Sequence, residues 1–380
     1  MLTSQITFAE ICSEIRRKGA FAFCLFLCTL GLGVSASAQQ LRFRTINVAA
    51  AGTSAGQGTF AQSINVQGEI AGYYVDENSV VHGFVRTNRG EITSFDPPGS
   101  VFTAAYGSNP EGAIAGFYFD SNDGVLHGFV RTNRGDITTF EAPGAADTFA
   151  AQINPAGVIA GDYLDASFMS HGYLRAPDGN ITTFDAPGAG TGAGLGTFPA
   201  GINVFGTIEG GYSDASNVSH GFVRVPFGAI YAFDAPGADT TDSGYGTFPS
   251  TLNDFGVITG TYLDAKGVYH GFLRSPDGKF TTFDAPGADL TPGDFNGTFP
   301  SDINLFGVIT GYYVDVVHVA HGFVAVPCDQ WCSASDEAAT LASGASPATT
   351  TKQVSLPFPG MLNSKLRLLP WYRFGVQPAK

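Results

Sequence analysis

Apolar and polar side chains alternate in short runs along most of this chain, and turn-forming residues separate the runs. Residues 69–75, 80–86 and 91–95 form one group of three such runs, rich in β-branched and aromatic residues. Because side chains two positions apart share one face of a strand, this period predicts short β-strands rather than helices. A Thr-Phe-x-x-x-Ile-Asn run that begins at Thr59 predicts a fourth strand in the same group.

The same group of four runs occurs six times between residues 59 and 325, with a His-Gly pair in every copy. The six histidines, 44 to 51 residues apart, are His82, His127, His171, His220, His270 and His321. Four short antiparallel strands in about 45 residues are typical of one propeller blade. The repeats therefore predict an all-β fold, a six-bladed β-propeller.

The two ends of the repeat array complement each other. The sixth copy lacks a fourth run, because the chain leads from His321 directly to Pro327. Residues 43–47, which precede the first copy, have the sequence of a spare fourth run. We predict that this N-terminal strand completes the last blade and closes the ring, which removes both exposed sheet edges. An open solenoid is the alternative, but it would not explain why a spare run at one end matches a missing run at the other.

The first 38 residues have the features of a signal peptide. Residues 16–18 are basic, residues 20–34 are apolar, and Ala36-Ser37-Ala38 is a typical cleavage site. We expect cleavage before Gln39 and an exported protein that is extracellular, at the cell surface or periplasmic. An uncleaved membrane anchor is the alternative. No stretch of the mature chain is apolar and long enough to predict a membrane span.

The sequence divides into four segments. We assign residues 1–38 to the signal peptide and 39–327 to the propeller. Residues 328–353 hold a cysteine pair and an Ala/Ser/Thr-rich linker, and residues 354–380 form a basic, aromatic tail. The tail is suited to docking on the ring, on an envelope component or on another protein, and a disordered end is the alternative.

Only two cysteines follow the predicted signal peptide, Cys328 and Cys332. In an oxidising compartment this spacing favours a small disulfide. A metal site that adds His318 and His321 is less favoured, because residues three apart in a strand point to opposite faces.

Within each repeat, Asn-x-x-Gly-x-Ile-x-Gly-x-Tyr is followed about ten residues later by His-Gly-Phe. This pattern resembles the HAF-repeat family of secreted bacterial proteins over residues 59–325. The chain has glycine where the family name implies alanine, as at Gly83 and Gly128, so it resembles a His-Gly-Phe variant. The resemblance implies an extracellular, propeller-like protein, and it implies no particular activity or catalytic residue.

The formal charge of the chain is −14 at pH 7. Binding to nucleic acid or anionic lipid needs clustered Lys and Arg, so we expect neither partner. An acidic surface is compatible with cations, neutral glycans or basic proteins. Solubility after export is the plainer explanation of the acidity.

Every repeat has an aspartate six or seven residues before its histidine: Asp76, Asp120, Asp165, Asp214, Asp264 and Asp315. We interpret these pairs as structural, because a propeller binds its ligand at one site whereas scaffold residues recur in every blade. Each pair is expected to join two strands through a charge-assisted hydrogen bond. A register that places Asp76 opposite His82 also places Tyr74 opposite Phe84.

A binding site is expected where the repeats differ, in the long loops between blades. Two of these loops, 237–246 and 287–297, combine carboxylates with aromatic side chains. Their candidate ligand-binding residues are Asp239, Asp242, Tyr245, Asp289, Asp294 and Phe295. Such loops can bind Ca²⁺, a sugar or a basic peptide. A solvated glycine-rich loop is the alternative, and neither loop has an EF-hand pattern.

Catalytic motifs are missing from the sequence. No Gly-x-Ser-x-Gly elbow occurs. The positions predicted to face the ring axis are residues 62–63, 106–107, 151–152, 200–201, 250–251 and 301–302, and Asp302 is the one acid among them. The sequence therefore favours a non-enzymatic propeller, without a cofactor unless Ca²⁺ binds, that recognises glycans or proteins. The alternatives are a carbohydrate-active hydrolase or lyase with a Ca²⁺-assisted site, and a structural envelope protein.

Overall fold

A computed structural model of the chain describes residues 41–328 except Ser243 and Asp294, and all of its regular elements in that range are strands. Cys328 is disulfide-bonded. The predicted signal peptide, Cys332, most of the linker and the C-terminal tail lie outside the described residues. Asp294 lies outside them as well.

The strands form six four-stranded antiparallel blades in chain order. Blade 1 contains β2 (Gly58–Ile64), β3 (Ile70–Val75), β4 (Val81–Arg86) and β5 (Ile92–Phe95). Blade 2 contains β6 (Ser100–Ser108), β7 (Ile114–Asp120), β8 (Val125–Arg131) and β9 (Ile137–Phe140). Blade 3 contains β10 (Asp147–Ile153), β11 (Ile159–Leu164), β12 (Ser170–Arg175) and β13 (Ile181–Phe184).

The second half of the ring repeats this order. Blade 4 contains β14 (Gly196–Ile202), β15 (Ile208–Ser213), β16 (Ser219–Arg224) and β17 (Ile230–Phe233). Blade 5 contains β18 (Gly246–Leu252), β19 (Ile258–Leu263), β20 (Tyr269–Arg274) and β21 (Phe280–Phe283). Blade 6 contains β22 (Gly297–Ile303), β23 (Ile309–Val314), β24 (Ala320–Pro327) and, from the start of the chain, β1 (Leu41–Ile46).

The ring closes through the strand that the sequence predicted. Strand β1 pairs antiparallel with β24, with Phe43 opposite Ala325. Strand β2 contacts β22 on one side and β6 on the other, so the six innermost strands form a closed cycle. The chain is thus a six-bladed β-propeller whose last blade is completed by the N-terminal strand.

Blade 6 differs from the others at the position of Ala325. In blades 2 to 5 an arginine from the third strand lies over a phenylalanine of the preceding blade, as Arg131 lies 4.8 Å from the ring centre of Phe95. The ring of Phe43 instead packs 5.3 Å from Phe323 and 6.1 Å from Phe283. The small Ala325 side chain therefore leaves space for an aromatic ring from the closing strand.

In five of the six blades, a threonine at the start of the innermost strand links that strand to the preceding blade. Its hydroxyl accepts a hydrogen bond from a backbone N–H in five blades, and the pairs are Thr59 with Val48, Thr148 with Ala142, Thr197 with Ala186, Thr247 with Ala235 and Thr298 with Ala285. Blade 2 is the exception, because Pro97 occupies the donor position and has no N–H. Its Thr103 hydroxyl bonds to Ser100 instead.

The asparagine that follows the innermost strand makes hydrogen bonds both within its own turn and with the next blade. The side-chain oxygen of Asn304 accepts from the N–H groups of Phe306 and Val308 in its own turn. Its side-chain nitrogen donates to the carbonyl of Asn65 in the next blade, 3.2 Å away. The same donation to the next blade joins Asn109 to Asn154, Asn154 to Asn203 and Asn253 to Asn304. Repeated asparagines thus hold neighbouring turns together around the axis.

The two faces of the ring carry different connections. The hairpins between second and third strands contact the loops between blades, as where Gly56 donates to His318 and Gly194 to Phe168. We call this side the loop face, and it carries the loops that the sequence singled out. The opposite side, with the asparagine turns and the turns between third and fourth strands, is called the turn face.

The hairpin register differs from the expected one by two residues. Tyr74 lies opposite His82, and Phe84 lies opposite Gly72, so the expected pairing of Tyr74 with Phe84 is wrong. The physical reason is the turn, which uses residues 76–80 and leaves Asp76 outside the ladder. Glycine is needed at position 72, because a Cβ there would lie 2.2 Å from the Phe60 carbonyl oxygen.

Among the residues that the structure describes, no helix has the length and apolar character needed to cross a membrane.

Replacing Phe43 with alanine is expected to lower the free energy of unfolding by about 2 kcal/mol, because it leaves a gap beside Phe283 and Phe323. Urea denaturation monitored by circular dichroism measures the change. The control is Arg44→Ala, a change at an exposed position of the same strand. Equal stability of the two variants would show that the closing strand does not hold blade 6.

Candidate functional site

A cavity of about 120 Å³ lies on the ring axis. Each innermost strand carries a β-bulge at the same place, where the pairing with the second strand skips one residue. The skipped residues all line the cavity: Gln62, Tyr106, Ala151, Ala200, Ser250 and Ser301. A bulge turns its residue out of the ladder, so the backbone aims these six side chains at the axis.

Sequence reasoning placed these six positions on the axis but did not find the rest of the wall. Rings from the second strands, including Tyr73 and Tyr312, and from the innermost strands, including Phe198, Phe248 and Phe299, also line the cavity. Phe299 stacks on Tyr312 with ring centres 4.8 Å apart. Repeat periodicity predicts only that such residues are buried, which is why their position at a cavity was missed.

The polar part of the lining is uncharged. It includes the amides of Gln62 and Gln152 and the hydroxyls of Ser250 and Ser301, and no Asp, Glu, Lys, Arg or His is present among the described lining residues. Burial raises the pKa of Tyr106, so its phenol keeps its proton near neutral pH. The wall therefore offers aromatic faces beside neutral donors and acceptors.

The predicted ligand-binding loops lie on the loop face but take no part in this cavity. Asp239 accepts hydrogen bonds from the N–H and hydroxyl of Thr241, and Asp289 makes the same two bonds with Thr291. These carboxylates thus stabilise their own loops. Asp242 is exposed at the edge of the first loop.

The two aromatic candidates pack inward rather than toward solvent. Tyr245 is partly buried against the main core cluster. Phe295, which has a positive φ of 68°, stacks on Tyr269 with ring centres 6.1 Å apart. Neither side chain is part of the cavity wall, so the five candidates that the structure describes do not line it.

The repeated histidines each lie between two polar groups. His82 Nδ1 is 2.7 Å from Asp96, its Nε2 is 3.9 Å from Asp76, and its ring packs 5.2 Å from Tyr74. Asp76 also accepts bonds from the N–H groups of Asn78 and Val80, which fixes the hairpin. The sequence predicted Asp76 as the partner of His82 and missed Asp96, which is nearer. Asp96 follows the fourth strand and is therefore not part of the hairpin that the prediction considered.

The same arrangement recurs around the ring. The Nδ1 partners in the other blades are Glu141, Asp185, Asp234, Asp284 and, in blade 6, Asn47. The Nε2 partners in four of them are Asp165, Asp214, Asp264 and Asp315, at 3.0 to 3.7 Å. Hydrogen bonds to Asp234 and Asp284 raise the pKa of His220 and His270.

Blade 2 departs from the predicted pairing. His127 Nε2 lies 3.1 Å from Asp123, not against the predicted partner Asp120. The hairpin is one residue longer here, so Asp120 caps the turn through Asn122 while Asp123 takes the position beside the histidine. Asp120, Asp123 and His127 each offer one atom that could bind a metal ion, and these atoms lie within 4.8 Å of one another. No other such group occurs in the described part of the chain.

Asp302 does not line the cavity. Its carboxylate accepts bonds from the Ser63 hydroxyl at 3.0 Å and from the N–H groups of Ile64 and Ile303 at 2.8 Å. Burial raises its pKa to about 6, although these hydrogen bonds oppose the shift. Because Ser63 and Ile64 belong to blade 1, Asp302 joins the last blade to the first.

Glu209 is a second buried acid near the axis, and sequence reasoning missed it. It lies opposite Gly201 on the second strand of blade 4, and its carboxylate occupies the space beside that glycine. Neither carboxylate oxygen has a hydrogen-bond partner. Burial raises the pKa of Glu209 well above its usual range, and the nearby Asp302 adds to the shift.

Comparison of the chain with protein-family models and with curated proteins finds no match. Among solved structures, AofleA from Arthrobotrys oligospora is similar at 12% identity and a TM-score of 0.47, covering 75% of this chain and 86% of that one. The Aleuria aurantia lectin, described as a six-bladed β-propeller with a novel fucose recognition mode, is similar at 12% identity and a TM-score of 0.41, covering 77% and 98%. TolB from Acinetobacter baumannii is similar at 11% identity and 0.44, covering 69% and 64%. Likenesses this distant bear on neither ligand nor activity here.

Changing Glu209 to glutamine is expected to flatten the dependence of stability on pH. The folded protein holds a proton on Glu209 that the unfolded chain releases above its ordinary pKa of 4.5. Wild-type stability therefore falls as pH rises from that value toward the folded-state pKa, and a glutamine cannot contribute to this loss.

Urea unfolding at pH 4 and pH 8 measures the effect. The change in unfolding free energy from pH 4 to pH 8 should be more favourable in Glu209→Gln than in the wild type by about 1 kcal/mol or more, since one pKa unit corresponds to about 1.4 kcal/mol. Glu91→Gln, an exposed change, should leave it intact. A wild-type slope in Glu209→Gln would mean that this carboxyl is not buried as described.

Proposed function

We propose that this protein is an exported, non-enzymatic β-propeller that binds a neutral glycan in the axial cavity. The observation that carries the proposal is the composition of the wall: aromatic rings beside amides and hydroxyls, with no ionised side chain among the described lining residues. Export rests on the sequence of residues 1–38 alone.

The aromatic part of the wall suits the apolar face of a sugar ring. Ligand pockets combine predominantly apolar and aromatic walls with a few polar groups that fix orientation. Tyr106 and Phe248 are the partly buried rings of the wall, whereas Tyr73 and Tyr312 are 1% and 3% exposed and support the wall from behind. Stacking on Phe117, with ring centres 5.2 Å apart, holds Tyr106 in place. Preorganised rings lose little conformational freedom when a ligand binds.

The polar groups suit sugar hydroxyls. Gln62, Ser250 and Ser301 come from three blades that adjoin around the axis, so their donors and acceptors converge on the cavity from different directions. The cavity of about 120 Å³ is several times larger than the roughly 10–15 Å³ needed to hold a single water molecule, and we take it to accommodate one sugar unit. The ligand is thus expected to enter as a terminal sugar.

The absence of charge within the described lining argues for binding rather than hydrolysis at this place. Glycosidic bond cleavage uses two carboxyl groups that flank the bond. The buried acids Asp162, Glu209 and Asp302 do not line the cavity. Asp302 is engaged between blades, and Asp162 accepts a hydrogen bond from the Ser170 hydroxyl. A cation is likewise not needed for a neutral ligand held by amides and hydroxyls.

The test is a glycan array probed with residues 39–380, with Ca²⁺ and again with chelator. Selective binding that chelator does not change is expected. Ala200→Phe, which places a ring on the cavity wall, should reduce binding at least about tenfold, the equivalent of 1.4 kcal/mol. Circular dichroism confirms that the variant is folded.

Asp239→Asn with Asp242→Asn serves as the matched change on the predicted loop. Binding should be retained in that double variant. Loss of binding there, with retention in Ala200→Phe, would move the site to the loop between blades 4 and 5. Loss with chelator would indicate the Ca²⁺-dependent alternative.

A further inference from the structure

Six of the eleven exposed large apolar side chains among the described residues lie on one half of the turn face, whereas Val316, Val317 and Leu290 are exposed on the loop face. Phe205, Phe255 and Phe306 occupy the same position in the asparagine turns of blades 4, 5 and 6, and their exposures are 46%, 51% and 69%. Phe227, Val204 and Val326 on the same side are 44 to 50% exposed. We call these six residues the apolar arc. Scattered exposed apolar residues are ordinary, but a set repeated in three consecutive blades marks an interaction surface.

The other half of the turn face lacks this character. The equivalent turn positions in blades 1, 2 and 3 are Gln67, Glu111 and Ala156. The turns themselves do not need the phenylalanines, because asparagine side chains hold the backbone in blades of both kinds, as Asn65 does through Gln67 and Asn253 through Phe255. The aromatic rings are therefore not explained by folding of the turn.

The chain leaves the ring at this half of the turn face. Strand β24 runs from the loop face to the turn face and ends at Pro327, whose ring lies beside Gly307. Gly307 directly follows Phe306, the most exposed member of the three phenylalanines. Residues 329–380 thus begin next to the apolar arc.

The sequence beyond this exit contains a segment complementary to the arc. Residues 354–380 include Leu366, Leu368, Leu369, Trp371, Tyr372 and Phe374. They also contain Lys365, Arg367, Arg373 and Lys380 and no acidic residue, whereas the whole chain has a formal charge of −14. Asp254, which accepts a hydrogen bond from Val204, is an acidic group within the arc.

The distance between exit and segment allows contact within one molecule. Residues 329–353 connect the two, and a random coil of that length would span about 25–30 Å on average. A tethered segment at this range has an effective concentration in the millimolar range, so a weak apolar contact is enough for docking.

We propose that residues 354–380 dock on the apolar arc of the same molecule. The apolar side chains of the segment cover Phe205, Phe255 and Phe306. The segment thereby occupies the turn face and leaves the loop face free. This assignment is independent of what the axial cavity binds.

Tryptophan fluorescence tests the proposal directly. The chain has two tryptophans, Trp331 and Trp371, and both follow the last strand of the ring in the sequence. In residues 39–380 carrying Trp331→Phe, all tryptophan emission reports on the segment. We expect emission at shorter wavelength than that of the isolated peptide 354–380, and less quenching by acrylamide, because the docked indole is removed from water.

Two variants of that protein decide the location. Phe255→Ser with Phe306→Ser should shift the emission and quenching to those of the free peptide. The matched control, Gln67→Ser with Ala156→Ser, changes the same turn positions on the other half and should leave both unchanged. Both substitutions are at exposed turn positions, and circular dichroism verifies folding.

Three results would overturn the proposal. One is emission equal to that of the free peptide in the unaltered ring. Another is a shift that grows with protein concentration, which would assign the arc to a second copy of the chain. The third is a shift that develops only with phosphatidylglycerol vesicles, which would assign the segment to a membrane surface.

Discussion

The pairing of β1 with β24 is the interaction on which this structure depends, because a propeller has no stable open form of its last blade. Sheet edges need to be paired or covered, and here the first strand of the array covers the last. Two further links cross the same junction: Asn304 donates to Asn65, and Asp302 accepts from Ile64. Closure thus combines a strand pairing on the outside with hydrogen bonds near the axis.

Once the ring is closed, the repeats share one scaffold with local exceptions in blades 2 and 6, and they vary most where the scaffold does not use the side chain. Threonine, asparagine and histidine recur because in most blades each satisfies a backbone or carboxylate group. The bulge residues and the turn residues that follow the asparagines do not have this structural role. The bulge residues line the cavity at the axis, and the turn residues of blades 4, 5 and 6 belong to the apolar arc on the turn face.

The sequence predicted the architecture better than the site, and particular residues show why. A spare run at 43–47 and a missing fourth run after His321 are visible as pattern, so the closing strand was predictable. The pairing of His127 with Asp123 was not, since the extra hairpin residue shifts the register locally. Burial of Tyr245 and Phe295 was equally invisible, because a loop aromatic looks the same in sequence whether it packs inward or outward. Glu209 was missed because it stands at one position of one repeat.

The central claim, that the axial cavity holds the ligand, is tested most directly by a crystal structure of residues 39–380 grown with an oligosaccharide that binds in solution. The account predicts density for a terminal sugar between the bulge residues, in contact with the rings of Tyr106 or Phe248. Density on the loops that contain Asp239 and Asp289, with an empty axis, would contradict it.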